Sequence, residues 1–247
     1  TSFTVLGLAS AKPIEVLVYS KTSWYRHPEI ARINGYLAIL GAKNDINVSI
    51  TESPDELSAR NLGNYDLILF NNSTNLGESL TVEQRKPIIE WFKKGGGIMV
   101  IHAGIVQNGT WPELIEIAGC DFHGDSEFVE ARFLVDPKAE GDPVVAGKSK
   151  EFTYTADWLN FDRSVTGLPG VEVLIRLDEK SYLPIREHPS YTDMKPMGAD
   201  HPICWRRKLG NGRYFFTGLG HDVKSIDTEF GRAHLLAGIR WTAGKAR

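Results

Sequence analysis

Cysteine is scarce in this chain: only Cys120 and Cys204 occur in 247 residues. Two thiols so far apart form neither a disulfide framework nor a zinc-finger spacing, and the pattern fits a reducing compartment. Basic clusters are lacking too. Lys and Arg number 28 against 31 Asp and Glu, a net charge of −3. No run of Lys and Arg is long enough to track a polyanion, so no nucleic-acid partner is expected. No apolar stretch approaches the roughly 18 residues of a membrane helix, so no membrane association is expected. The N-terminal TSFTVLGLASAKP has no basic n-region and reads poorly as a signal peptide. The expectation is a cytoplasmic protein, with secretion after precursor processing as the alternative. In that second case the N-x-S/T triplets at Asn47, Asn71, Asn72 and Asn108 would matter. No HExxH metal motif and no GK[ST] phosphate-loop ending is present. Gly95-Gly96-Gly97 precedes a strand and reads as a helix stop.

What is present is ordinary globular material, 42% hydrophobic and 24% charged, enough for an ample core without metal or disulfide. With no repeat, low-complexity tract or linker, a single domain over residues 1–247 is expected. Glu15–Ser20 (EVLVYS) reads as a continuous β-branched core strand. Pro28-Glu29 then opens a helix with Ile30, Ile33, Leu37 and Leu40 on one face. Asn47–Thr51, Tyr65–Phe70 and Ile98–Ile101 read as further strands. A second helix between the last two is announced by Thr81 and Gln84 at capping-box spacing. Alternating strands and helices with short connections predict a parallel sheet covered on both faces. Ligands of such sheets bind at the carboxyl ends of the strands. Three strand ends carry chemistry: Lys21 to His27, Asn71 to Thr74, and His102.

The second half is less regular. Trp111–Ala118 predicts a helix, residues 119–124 a loop, Phe128–Val135 a strand and residues 142–147 a turn. Asp157-Trp158-Leu159-Asn160-Phe161 forms an aromatic–polar patch, Val171–Leu177 a strand and Glu229–Trp241 a closing helix. Between the last two, Ile203–Lys208 and Arg213–Leu219 flank Gly210-Asn211-Gly212, the signature of a β-hairpin. A hairpin joins its open ends, so Asp200 and His201 at the entry are expected beside Gly220 and His221 at the exit.

Taken together and in order, KTSWYRHPEI, GGGIMVIHAG, DWLNF, MGADHPICW, GRYFFTGLGH and HLLAGIRWTAG resemble the ThuA-like (trehalose-utilisation) family over nearly the whole chain, roughly Glu15 to Gly244. The resemblance implies an α/β fold of the class I glutamine-amidotransferase-like, flavodoxin-like type. That is a three-layer sandwich with a mostly parallel sheet and a C-terminal β-hairpin. Glutamine amidotransferases carry a cysteine on a sharp strand-to-helix turn. Here that place holds His102, and Cys120 and Cys204 lie elsewhere. Glutamine hydrolysis is therefore rejected, because it needs a thiolate paired with a base, and fold does not carry function.

The resemblance further implies work on sugars beside a sugar oxidoreductase that supplies keto derivatives, with isomerisation or cleavage as the reaction. The residues are compatible with proton abstraction next to a carbonyl. That chemistry needs a base and a donor for the enolate oxygen, and histidine suits both near neutral pH. Candidate catalytic residues are His102 and His201 as base, with Asp157 or Asp200 orienting it. Candidate substrate-binding residues are Lys21, Arg26, His27, Asn72, Trp158, Asn160 and His221, with Trp24, Trp158 and Trp205 as platforms for a sugar ring. His188 and His234 read as structural or surface residues. No metal is required by this reading. The alternative is a metal-assisted hydrolase of a sugar derivative, with zinc or a similar divalent ion on His27, His102, His201 and His221. A third reading is a non-catalytic sugar-binding module. A small carbohydrate is the expected ligand, and self-association is compatible with the sequence.

Overall fold

The structure, a computed structural model, describes residues 12–245. The N-terminal stretch assessed for a leader lies, up to Ala11, outside the described residues. A nine-stranded sheet runs through the molecule. Its members are β1 (Ile14–Tyr19), β2 (Ile46–Thr51), β3 (Leu67–Asn71), β4 (Gly97–Ile101), β6 (Val129–Val135), β7 (Glu151–Ala156), β9 (Val171–Asp178), β10 (Pro202–Leu209) and β11 (Gly212–Thr217). A two-stranded ribbon pairs β5 (Phe122–Asp125) with β8 (Leu159–Phe161). The order in the large sheet is β2-β1-β3-β4-β11-β10-β9-β6-β7.

One half of this sheet is parallel: β2, β1, β3, β4 and β11 all run the same way. The other half, from β11 through β10, β9, β6 and β7, is antiparallel. The α/β class is as expected, and the sheet is mixed, because the C-terminal hairpin inserts β11 against β4 and turns the direction at β10. β3 and β4 are buried at every position. Strands sheathed on both faces take continuous apolar runs, which is why LILF and GIMVI show no alternation.

The flanking helices follow their sequence signals. Ile30–Ala42 buries Ile30, Ile33, Leu37 and Leu40. Val82–Lys93 starts from the full capping box, with Thr81 Oγ1 accepting from the Gln84 amide and Gln84 Oε1 accepting from the Thr81 amide. Pro112–Ala118 and Glu229–Thr242 complete the main helices. The hairpin pairs Leu209 with Gly212 across Gly210-Asn211. Gly210 has φ +60 and Asn211 is not left-handed, the pattern of a turn with glycine at its first central position.

One expectation in the irregular half is corrected, and one strand, β7, was not foreseen. The loop foreseen at residues 119–124 contains β5, whose partner β8 lies far along the chain. β7 had no alternating apolar signal strong enough to mark it; its burial alternates between half-buried and exposed residues. Its inner residues Phe152 and Tyr154 pack on Phe133. Cys120 and Cys204 are both free and buried, and burial pushes both thiols well above their usual range. Neither is placed to serve as a thiolate nucleophile.

Candidate active site

Three histidines reach one place from the carboxyl ends of β1, β4 and β11. His27 sits in the loop after β1. That loop is pinned to the segment after β3 by Thr74, whose hydroxyl donates to Tyr25 O (2.9 Å) and whose carbonyl accepts from Ser23 N (3.1 Å). His102 is the first residue after β4 and has φ +46, a left-handed conformation that a non-glycine residue adopts at a cost of order 1–3 kcal/mol. His221 follows Gly220, which has φ +103 and where a Cβ would lie 2.3 Å from Ile101 Cγ2. Asn72 braces the last two segments. Its Oδ1 accepts from Ala103 N (3.2 Å) and its Nδ2 donates to Gly220 O (3.1 Å).

The three rings meet edge to face. Centroids lie 5.0 Å apart for His27 and His102, 5.1 Å for His27 and His221, and 5.3 Å for His102 and His221, with interplanar angles of 75° to 89°. Asp157, just after β7, closes the group. Its Oδ1 is 3.1 Å from His102 Nε2 and 3.6 Å from His221 Nε2. His102 is 0% exposed and His27 4%, while the side chains of His221 and Asp157 are 22% and 20% exposed. His102 Nδ1 donates to Gly218 O (3.1 Å), because a carbonyl only accepts.

Crowding shifts the charges. Burial and the neighbouring His102 push His27 down to about 3 and lower His221 as well. Burial works against the Asp157 carboxylate. The adjacent imidazoles His102, His221 and His27 outweigh it and hold Asp157 well below the usual carboxylate range.

His27, Asp157 and His221 open into a cleft of about 510 Å³, which the fully buried His102 does not line. Its walls carry the exposed rings of Trp24, Tyr25 and Phe128, with Phe128 5.3 Å from the His221 ring. A second carboxylate, Asp125, at the end of β5, also lines the cleft. Arg186 Nε donates to its Oδ1 (2.9 Å). Burial raises the Asp125 pKa, against the pull of Tyr191 and Arg186. Asp125, Arg186 and Phe128 were not picked out by sequence reasoning. Asp125 and Arg186 lie in non-periodic segments and Phe128 opens the segment read as a strand, so the hint was the cluster of polar and aromatic residues Asp125 to Phe128.

Not every foreseen residue is brought here. His201 is a correction. It is fully buried, with Nδ1 2.8 Å from Glu179 Oε1 and Nε2 3.0 Å from Leu159 O, and it does not line the cleft. Asp200 does not orient it: that carboxylate pairs with Arg176 and accepts from Thr166 Oγ1 (2.7 Å). The hairpin ends do meet, through Gly218 N and Ile203 O (2.8 Å). The register of β10 against β9 shifts between Pro202 and Trp205, and His201 faces Phe161 and Glu179 instead of His221. Arg26 is exposed and pairs with Glu52 (2.6 Å), and half-buried Lys21 does not line the cleft. Asn72 is a buried brace that does not line the cleft. Trp158 is a core residue whose Nε1 donates to Val129 O (3.0 Å), and Trp205 is likewise core. Asn160 is buried, its amide held by the carbonyls of His123 and Lys195. Of the four histidines foreseen as metal ligands, His27, His102 and His221 converge and His201 does not.

Comparison with known proteins decides the family. The family model described as trehalose utilisation, ThuA, matches residues 15–242. The chain belongs to the ThuA family. A ThuA-like protein from Bacteroides uniformis ATCC 8492 is 23% identical, with a TM-score of 0.77 over 99% of this chain and 97% of that one. A second ThuA-like protein, from Parabacteroides merdae ATCC 43184, is 19% identical, with a TM-score of 0.67 over 95% and 91%. A β-galactosidase from Rahnella sp. R3 is 14% identical, with a TM-score of 0.55 over 95% of this chain and 32% of its own. At these identities the likeness is one of fold. No curated protein matches the chain. ThuA membership places the protein in a carbohydrate-related family. Among the described residues no helix is long and apolar enough to cross a membrane.

Proposed function

We propose that this protein processes a carbohydrate bearing a keto group and removes the proton on the carbon next to the carbonyl. The observation that carries the reading is the opposition of two carboxylates in one cleft. Asp157 is held ionised among imidazoles, while Asp125 has its proton affinity raised by burial. Environments that push two acids apart in this way mark acid–base assignments. Asp125 takes the proton. The electron pair of the C–H bond moves into a new C=C bond, and charge develops on the carbonyl oxygen. The imidazole of His221, which lines the cleft, stabilises that oxygen through a ring N–H, which is where fixed donors contribute most. Isomerisation follows when the proton of the adjacent hydroxyl passes to the enolate oxygen and the abstracted proton returns to the former carbonyl carbon. Cleavage follows when the enolate re-forms the carbonyl, the C=C bond shifts by one carbon, and the group on the next carbon departs with its bond pair and the proton from Asp125.

Other features support a sugar in this place. The ThuA family is described by trehalose utilisation, and about 510 Å³ is an ordinary volume for a small-molecule cleft. The exposed faces of Trp24, Tyr25 and Phe128 offer apolar surfaces to a pyranose ring. The test is solvent-deuterium incorporation into a 3-keto-disaccharide, followed by mass spectrometry. Label at the carbon beside the ketone supports the reading, and exchange no faster than in buffer overturns it. The imidazole cluster also favours a second reading, hydrolysis of a sugar derivative. That reaction would place ¹⁸O from water in the product without deuterium on carbon.

A further inference from the structure

The geometry points to a divalent transition-metal centre built from His27, His102 and His221, with Asp157 as its carboxylate ligand. The ligand-type atoms of the three histidines all lie within 4.8 Å of one another. Proximity alone is common. Here it coincides with a failure of hydrogen bonding. His27 Nδ1, His102 Nε2, His221 Nδ1 and Asp157 Oδ1 are all buried, and none has a hydrogen-bond partner. Buried polar atoms are nearly always paired, and each orphan costs about 1–3 kcal/mol. Four orphans in one group call for a shared occupant.

The tautomer of His102 narrows what that occupant is. Its Nδ1 proton goes to Gly218 O, which leaves Nε2 as the atom turned to the group. Nε2 lies 3.1 Å from Asp157 Oδ1, near enough for a proton between them, yet the alignment is not that of a hydrogen bond. A metal ion bound to both atoms satisfies them without that alignment. A metal-bound imidazole commonly donates its other N–H to a backbone carbonyl, as His102 does, which fixes the ring and raises its donor strength. Asn72 adds a brace by tying the segments of His102 and His221 together. The strained φ of His102 is what such an over-determined arrangement can hold in place.

Three imidazoles and one carboxylate suit zinc and its first-row neighbours rather than calcium or magnesium, which prefer oxygen. Zinc–nitrogen bonds of about 2.0–2.1 Å would draw the nitrogens to roughly 3.4 Å apart in a tetrahedron. The site stands on this geometry alone. Its role, drawing electrons from a keto oxygen that enters from the cleft, rests on the function proposed above.

The experiment uses the full chain, stripped with a chelator and titrated with Zn²⁺ and Co²⁺ in the absence of any sugar. The expected result is one ion per chain with a dissociation constant of about 1 µM or tighter, and a cobalt absorption spectrum of a low-coordinate nitrogen site. His27→Gln and His102→Gln each weaken binding at least about 100-fold, while His123→Gln binds as the parent does. Thermal melting of each variant verifies that it is folded. A folded parent chain that takes up no stoichiometric metal overturns the centre, as does binding that survives the double substitution of His27 and His102. Metal uptake is measured without substrate. A loaded protein that fails the deuterium test therefore sinks the proposed function and leaves the centre standing.

Discussion

His102 and His201 are equally buried and each stands near a carboxylate, yet their surroundings differ in kind. His201 has an oxygen acceptor on each nitrogen, Glu179 on one side and Leu159 O on the other. Glu179 also accepts from the amides of Met197 and Gly198, so this histidine and its carboxylate fasten a loop. His102 has one nitrogen satisfied and one bare, in the company of three other bare atoms. A buried histidine with every partner supplied is a structural part. A buried histidine with a partner withheld is positioned for something that is not protein. The parallel half of the sheet supplies the second kind, and the antiparallel half the first.

That contrast can be broken by substitution. The largest effect is predicted for His102→Gln. Deuterium exchange into a keto-sugar falls about 10²–10⁴-fold, while unfolding free energy in urea changes by less than about 1 kcal/mol. Asp125→Asn should lower exchange over a similar range, also in urea-stable protein. Glu179→Ala does the reverse. It leaves His201 and two amides unpaired and costs about 3 kcal/mol of stability, with exchange per folded molecule kept within about threefold.

His234 sharpens the comparison from a third direction. It is fully buried and neutral, with Nδ1 donating to Val144 O and Nε2 accepting from Thr217 Oγ1. Burial lowers its pKa from 6.5 to about 4. The unfolded chain therefore binds a proton that the folded chain refuses between those values. Stability is full above pH 6.5 and falls as the pH drops toward 4, by about 3 kcal/mol in total. Chemical denaturation across that range measures the slope, and His234→Gln should remove it. The smallest effect belongs to Asp200→Asn. This half-exposed partner of Arg176 should cost no more than about 1 kcal/mol and leave exchange unaltered. Lost exchange in that variant would return Asp200 to the site.

Much of this was legible in the sequence. The strand ends after β1 and β4 follow from helix–strand alternation, and they deliver His27 and His102. The hairpin signal delivers His221. The same signal misplaced His201, because pairing two strands fixes where the main chains run but not which face a side chain takes. The register shift between Pro202 and Trp205 is of the kind that alters that face. Asp125 escaped for a different reason. β5 is four residues long and is paired only through β8, so nothing local marks it as structure. Asp157 was visible as one polar residue in an aromatic patch, but its partners come from three distant segments.

The position of β11 has a consequence for how the chain is made. Residues of β1 to β4 leave a synthesising ribosome as a sheet whose apolar strand, GIMVI, has one open edge. The strand that covers this edge arrives about a hundred residues later. Long-range pairing of this sort is slow, and an uncovered strand in the interval invites association with other chains. The protein therefore acquires the middle of its sheet last, and His221 comes with it. A chain halted before Gly212 would carry two of the three imidazoles and an edge that has nothing to pair with.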